Sequence, residues 1–305
     1  MKSYKGFDKN LKCRDFQYEI GKEYEMDGEI KMCSRGFHAC ESPFEVFDHY
    51  SMIGSRFCEV EQDGNISKAD RGTKICSSKI KIKSELKLAN MIYLGVEWLK
   101  EITSPEKIKT NIKDNSSGYG AQIGSSGDDA KIGASGDGAK IGASGNCAQI
   151  GSSGDGAKIG ASGYGAQIGS SGDDAQIGAS GDDAQIGASG YYAKIGASGN
   201  GAKIGASGNY AQIGASGNYA QIGASGNYAK IDSTGEGCVI MCAGIGSIAK
   251  ASKGSWITLS EWSYSEGKQR YIPICVKTEF VDGEKIKADT YYSLKGGVFV
   301  EWIND

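Results

Sequence analysis

The chain has only two histidines, His38 and His49, and both stand among cysteines in its N-terminal part. Cys33, His38 and Cys40 lie close together, with Cys13, Cys58 and Cys76 available as a further ligand, and thiolates with imidazole are the donor set of zinc. The C-x4-H-x-C spacing matches none of the usual zinc patterns, in which CxxC or HxxxH pairs dominate. The metal set Cys33, His38 and Cys40 therefore ranks below a hydrogen-bonded histidine in the apolar strand Gly36-Phe37-His38-Ala39. His49, beside Asp48, reads as a solvated surface residue. No Ser/His/Asp arrangement, phosphate loop or HExxH segment occurs. Glycine-rich strings such as Gly136-Asp137-Gly138 are repeat turns with no βαβ unit around them.

A second chemical feature is periodic. Thirteen nonapeptides of the form A-[KQ]-I-G-[AS]-S-G-x-x run from Ala121 to Gly237, with isoleucine at every ninth residue from Ile123 to Ile231. One such unit has too little apolar surface to fold alone, so the units must stack. Alanine at position 1 and isoleucine at position 3 flank a polar residue, the period-two pattern of a short strand with its apolar side inward. The glycines at positions 4 and 7 are expected to make the sharp turns. These features predict a parallel β-solenoid with two units per coil, about 6 to 7 coils in all, and a rod about 30 Å long at ~4.8 Å per coil.

Residues eighteen apart then lie above one another. Asp137, Asp155 and Asp173 form one ladder; Asp174, Tyr192, Tyr210 and Tyr228 form another. Stacked aspartates repel unless a cation or a basic partner intervenes, whereas stacked tyrosines attract. The plain reading is a solvated turn row. The functional reading is a binding strip whose acidic part (Asp128, Asp137, Asp155, Asp173, Asp174, Asp182, Asp183) meets basic groups, while Tyr191, Tyr192, Tyr210, Tyr219 and Tyr228 supply rigid anchors. The nonapeptide of calcium-binding β-rolls has the same length, but its ion-binding Asp is replaced here by Ala and Gln or Lys. The serines at position 6 form a flat hydroxyl row of the kind ice-binding solenoids use, an alternative to the binding strip.

The elements around the repeat are less regular. Ser42-Pro43-Phe44-Glu45 reads as a capping box opening a short helix. Lys79-Ile80-Lys81-Ile82-Lys83 alternates like a strand. Leu88, Met91, Ile92, Gly95, Trp98, Leu99 and Ile102 recur at helical spacing, and Ser104-Pro105 is expected to end that helix and open another. That helix is placed to cap the first coil, because an open solenoid end exposes unpaired strand edges. Beyond the repeat, Ser255–Leu259 reads as a strand, Asp282-Gly283 as a turn, and Tyr291–Leu294 with Val298–Trp302 as a hairpin around Lys295-Gly296-Gly297. Trp256, Trp262 and Trp302 are expected in the core of that small sheet rather than in a carbohydrate or peptide platform.

The fold class is thus mainly β: an α+β head (1–112), a solenoid (113–243) and a small all-β tail (244–305). With 34 basic and 37 acidic residues among 305, bulk attraction to nucleic acid or to a membrane surface is not favoured. Nine cysteines at irregular spacing fit reduced thiols. The start of the chain lacks the apolar run of a signal peptide, and a cytoplasmic protein without a membrane span is expected.

The strings Cys13-Arg14-Asp15-Phe16-Gln17-Tyr18-Glu19, Gly36-Phe37-His38-Ala39-Cys40, Ser42-Pro43-Phe44-Glu45-Val46-Phe47 and Ser55-Arg56-Phe57-Cys58-Glu59-Val60-Glu61 resemble an uncharacterised domain family common in bacteriophage and prophage genomes. Its members carry downstream short repeats and a tail similar to Gly254-Ser255-Trp256 and Asp282-Gly283-Glu284-Lys285. The resemblance implies a phage-associated context and no particular activity. A weaker likeness, to ADP-ribosyltransferase-like folds, rests on the order of strands around Tyr4–Phe7, Ser42 and Phe57–Glu61. It implies His38 with Glu59 or Glu61 as the residues holding NAD, although no full catalytic set can be located. The leading expectation is a non-catalytic interaction protein without a cofactor. It binds a host protein or nucleoprotein, with nucleic acid mimicked by the acidic ladder rather than bound. The NAD-using enzyme and a virion fibre or adhesin module are the alternatives, and homo-oligomers stay open.

Overall fold

A computed structural model of the chain describes residues 1–70, 72–103 and 118–303. It divides into two compact units, Met1–Trp98 and Leu99–Asp305. The helix stop expected at Ser104-Pro105 and the boundary at 112/113 lie outside the described residues.

The first unit is built from β1 (Lys2–Phe7), β2 (Lys12–Cys13), β3 (Phe16–Gln17), β4 (Glu23–Glu25), β5 (Phe37–Cys40), β6 (Arg56–Lys68) and β7 (Lys74–Leu86). The strand order β4-β7-β5-β1-β6 is closed by direct pairing of β6 with β7, so β1, β6, β7 and β5 form a ring. β6 carries register shifts at Glu59/Val60 and Asp63/Ile66 that bend this long hairpin enough for both halves to find partners. Phe7, Leu11, Tyr18, Phe37, Val60, Ile80 and Ile82 fill the interior. Buried Gln62 accepts the Ser3 hydroxyl at 2.7 Å and donates to the Phe37 carbonyl and to Ser77, so its amide is satisfied.

The capping box is only half realised. Ser42 Oγ accepts the Glu45 amide at 3.4 Å, but the Glu45 carboxylate turns to the Thr73 amide and hydroxyl, and Phe44–Asp48 is a 3-10 turn rather than an α-helix. The helix α1 (Leu88–Ile102) forms as expected, with Met91, Ile92, Val96 and Leu99 on its buried face. Glycine at 95 leaves room for the Phe44 ring, against which a Cβ would collide.

The second unit is a parallel β-solenoid of about 8 turns over residues 122–259, one or two more than expected. β8 (Gln122–Ser125) and β9 (Lys131–Ala134) are the first two strands. Strands then alternate between two sheets as far as β22 (Ile248–Ala251) and β23 (Trp256–Ser265). Ladders run in register between residues eighteen apart, Ile141 on Ile159 and Ile150 on Ile168. Two nonapeptides therefore make one coil. Alanine at positions 1 and 5 and isoleucine at position 3 point inward and are almost fully buried, filling an interior too narrow for larger side chains.

The glycines work differently from the expectation. The left-handed residue of each turn is position 9, with φ of 66° at Gly138, 54° at Asp174 and 57° at Tyr192. Position 7 is glycine because successive coils touch there: a Cβ on Gly163 would lie 2.5 Å from the Gly145 carbonyl carbon and 2.8 Å from the Asn146 nitrogen. At the start of the array, Thr103 lies on Gly124 and Gly142, so the end of α1 meets the outer face of the first coils.

The C-terminal strands continue both sheets. β24 (Arg270–Phe280) pairs along the whole of β23, and the hairpin β25 (Tyr292–Lys295) and β26 (Val298–Glu301) joins β22. Gly296 and Gly297, both at positive φ, form its turn, and Glu261 accepts both of their amides at 2.7 and 2.8 Å. The three tryptophans are not a shared core. Trp256 is 47 % exposed against Phe280, Trp262 bonds the Ala243 carbonyl, and Trp302 packs on Tyr291. A small sheet extending an existing one inherits that sheet's core and has less need of its own large residues.

Candidate functional site

Three surfaces could carry function, and the solenoid supplies two of them. Its turns fall on two edges. Those leading into the first sheet (β8 to β22) carry Asp137, Asp155, Asp173, Asp174, Tyr191, Tyr192, Tyr210 and Tyr228; those leading into the second (β9 to β23) carry Asp128, Asp182, Asp183 and Tyr219. The residues expected in one strip are thus divided between opposite edges.

On both edges the acidic ladder does structural work. The Asp155 amide donates to Oδ1 of Asp137 at 2.9 Å, the Asp173 amide to Asp155 at 2.8 Å and the Tyr191 amide to Asp173 at 2.7 Å. Asn209 and Asn227 accept in the same way further along. Where position 8 is Asp or Asn, its side chain therefore satisfies the turn amide of the next coil, which partly compensates the charge and answers the repulsion expected of stacked aspartates.

The tyrosines have no such duty. Tyr192, Tyr210 and Tyr228 stack with centroids 5.0 and 5.1 Å apart and planes within 12°, as expected of an eighteen-residue ladder. All three, and Tyr219, sit at left-handed φ where Gly138, Gly156 and Gly201 stand elsewhere. A bulky residue there costs about 1 kcal/mol or more, and a stacked pair returns ~0.5–1.5 kcal/mol. Three strained residues against two stacks leave no net stabilisation. All four rings stay 41–68 % exposed.

The two sheet faces also differ. Outward glycines of the first sheet (142, 160, 178, 196, 214) are buried, whereas those of the second (133, 151, 169, 187, 205) lie open along a shallow groove. That groove ends on Val239 and Met241, and beyond it Trp256 and Phe280 continue the row from Val239 in register; all four are exposed. The signal was present in the sequence: at Cys238-Val239-Ile240-Met241-Cys242 the outward Gln and Gly of the repeat become apolar.

The third surface is a cleft of about 800 Å³ in the first unit, lined by Lys5, Arg14, Arg35, His38, Tyr50 and Lys74 among others. β1 supplies Lys5 and β5 supplies His38, whose Nε2 accepts the Cys33 amide at 2.9 Å. Burial and the nearby Lys74, Lys5 and Arg14 push His38 down to about 4, so it is neutral at pH 7. It is a half-buried histidine whose Nε2 is taken up by a hydrogen bond. Cys33 is exposed and Cys40 buried, and among the described residues no group of three or more His, Cys, Asp or Glu is placed to hold a metal ion. Glu59 and Glu61 do not line the cleft with His38. They pair with Lys2 and Lys83, each at 3.0 Å, so the set implied by the transferase likeness is not assembled.

Residues 1–94 match the family model described as "Domain of unknown function (DUF7666)". This is an uncharacterised domain family, as the sequence strings indicated, and it leaves the solenoid outside the match. No curated protein and no solved structure matches the chain. Among the described residues no helix is long and apolar enough to cross a membrane.

Proposed function

We propose that this chain is a non-catalytic interaction protein whose solenoid presents the tyrosine column of the first edge to a protein partner. The observation that carries the reading is the placement of Tyr192, Tyr210 and Tyr228 at a backbone position where glycine is the less strained choice, half-exposed and in a stack that at best offsets the strain. Exposed, rigid tyrosines with little rotamer freedom to lose are typical interface anchors. The resemblance of the head strings to a family expected in phage and prophage genomes extends the proposal to a cytoplasmic, phage-encoded binder that inhibits a host or defence factor by stoichiometric contact.

The test exploits the strain. Replacing Tyr192, Tyr210 and Tyr228 together by Gly restores the residue that other coils use, so the triple variant stays within ~1 kcal/mol of the wild type in denaturant unfolding. Captured from a bacterial lysate beside it, the wild type retains a stoichiometric protein that the variant loses. Equal retention by both would overturn the tyrosine reading. The charge-reversal pair Asp137→Lys with Asp155→Lys is a poor companion because it also removes two amide acceptors. Asp137→Asn with Asp155→Asn keeps those bonds and isolates the charge.

A further inference from the structure

The cleft of the first unit holds an arrangement that the interaction reading does not use. Lys5 is 4 % exposed, yet among the described residues no carboxylate pairs with it. Its ammonium donates to the His38 carbonyl at 2.8 Å and to Cys13 Sγ at 3.5 Å, and its remaining neighbours are the Phe7 and Tyr18 rings at 5.4 and 5.6 Å, so its charge meets neutral groups only. Arg14 and Lys74 line the same cleft, likewise without a carboxylate partner among the described residues, and Asp15 is the one acidic residue of the lining. A cation buried without a counter-ion is unfavourable, and an anion entering the cleft would relieve that penalty. The crowding is mutual: the same three cations lower the proton affinity of His38.

Backbone strain points to the same place. Arg14 (φ 54°) and Cys33 (φ 62°) are left-handed residues with full side chains on the cleft wall. Aromatic groups complete it: Tyr50, whose hydroxyl lies 2.9 Å from Cys13 Sγ, Tyr18, and the exposed Phe16 ring packed edge-on against Tyr18. The volume is that of a small-molecule site. Tetrahedral oxyanions suit converging Lys and Arg donors better than a single carboxylate does, because several acceptor oxygens meet several donors at once.

We propose that this cleft binds a phosphate-bearing small molecule, with Lys5, Arg14 and Lys74 on the phosphate oxygens and the aromatic wall beside the rest of the ligand. The experiment is calorimetric titration of the full chain with pyrophosphate and, separately, with ADP at low salt. Binding of pyrophosphate as tight as that of ADP assigns recognition to the phosphates alone, and tighter ADP binding adds the aromatic wall; both support the site. Arg14→Gln, an exposed position that leaves the fold intact, and Lys5→Met each weaken binding by about tenfold, the loss of one charge-assisted bond. If Lys5→Met fails to fold, Arg14→Gln and Lys74→Gln carry the test. No heat with either ligand at millimolar concentration, or binding untouched by these variants, overturns the proposal.

Discussion

At the scale of single residues, His38 gives the clearest prediction. Its imidazole accepts the Cys33 amide and is held down to about 4, against 6.5 for a free histidine. Above pH 6.5 the group is neutral in both folded and unfolded chains. Below it the unfolded chain takes up a proton that the folded one refuses until about pH 4, so stability is lost as pH falls through that window. Melting curves at pH 7 and pH 5 should show a drop for the wild type that His38→Gln reduces. The position-8 ladder gives a second prediction. Asp137→Ala removes the acceptor of the Asp155 amide and costs about 1 kcal/mol, whereas Asp137→Asn is neutral within ~0.5 kcal/mol. Equal losses for the two in urea unfolding would show that charge, not the hydrogen bond, matters there.

At the scale of elements, one coil contains glycines of two kinds that the nonapeptide pattern does not separate. Gly163→Ala drives a methyl group into the backbone of the coil below and should lower stability by ~1–3 kcal/mol or more. Gly169→Ala, at position 4 of the second sheet, meets nothing within 4 Å and should be near neutral by the same denaturant assay. The inward and outward alternation, the two-unit coil and the hairpin at Gly296-Gly297 were legible because each depends on neighbours in sequence or on a strict period. The left-handed position was not read, although its mixture of Gly, Asp and Tyr carried the hint: Asp and Gly share a tolerance for that conformation that Tyr lacks. The ring of β1, β6, β7 and β5 depends on pairing between Lys2 and Glu61 and between Phe37 and Ser77, contacts that no local pattern announces. The cleft was missed for the same reason, since Lys5, Arg14 and Lys74 meet only when that ring closes. The β24 strand lay hidden behind Pro273, which is tolerated because it pairs with Trp262 at the register shift, where the ladder is already irregular.

At the scale of the whole molecule, the solenoid is held by its isoleucine columns and by amides bonded to side chains within the chain. Calcium-dependent β-rolls place their aspartates on the ion; here Asp128, Asp137 and Asp155 each accept an amide of the next coil. Dialysis against EDTA should therefore leave both circular dichroism and melting temperature unchanged. A loss of β signal restored by calcium would overturn this account of the turns. The close of the array is equally self-contained, because Asp232, taking the place of an outward glycine, bonds Lys250 at 3.0 Å and the Tyr291 hydroxyl at 3.1 Å where the repeat gives way to the final hairpin.

The in-register pairing of residues eighteen apart has a consequence for how such a chain can change length. Tandem repeats in a gene are gained and lost by slippage, one unit at a time. Losing a single nonapeptide ahead of Asp174 would keep every isoleucine inside, yet it would carry Tyr192, Tyr210 and Tyr228 across to the opposite edge and bring Tyr219 to theirs. Losing two would shorten the rod by one coil and leave the column where it was. Fold and surface are thus inherited by different rules: the core tolerates any whole number of units, while the tyrosine column keeps its address only when the change has even parity.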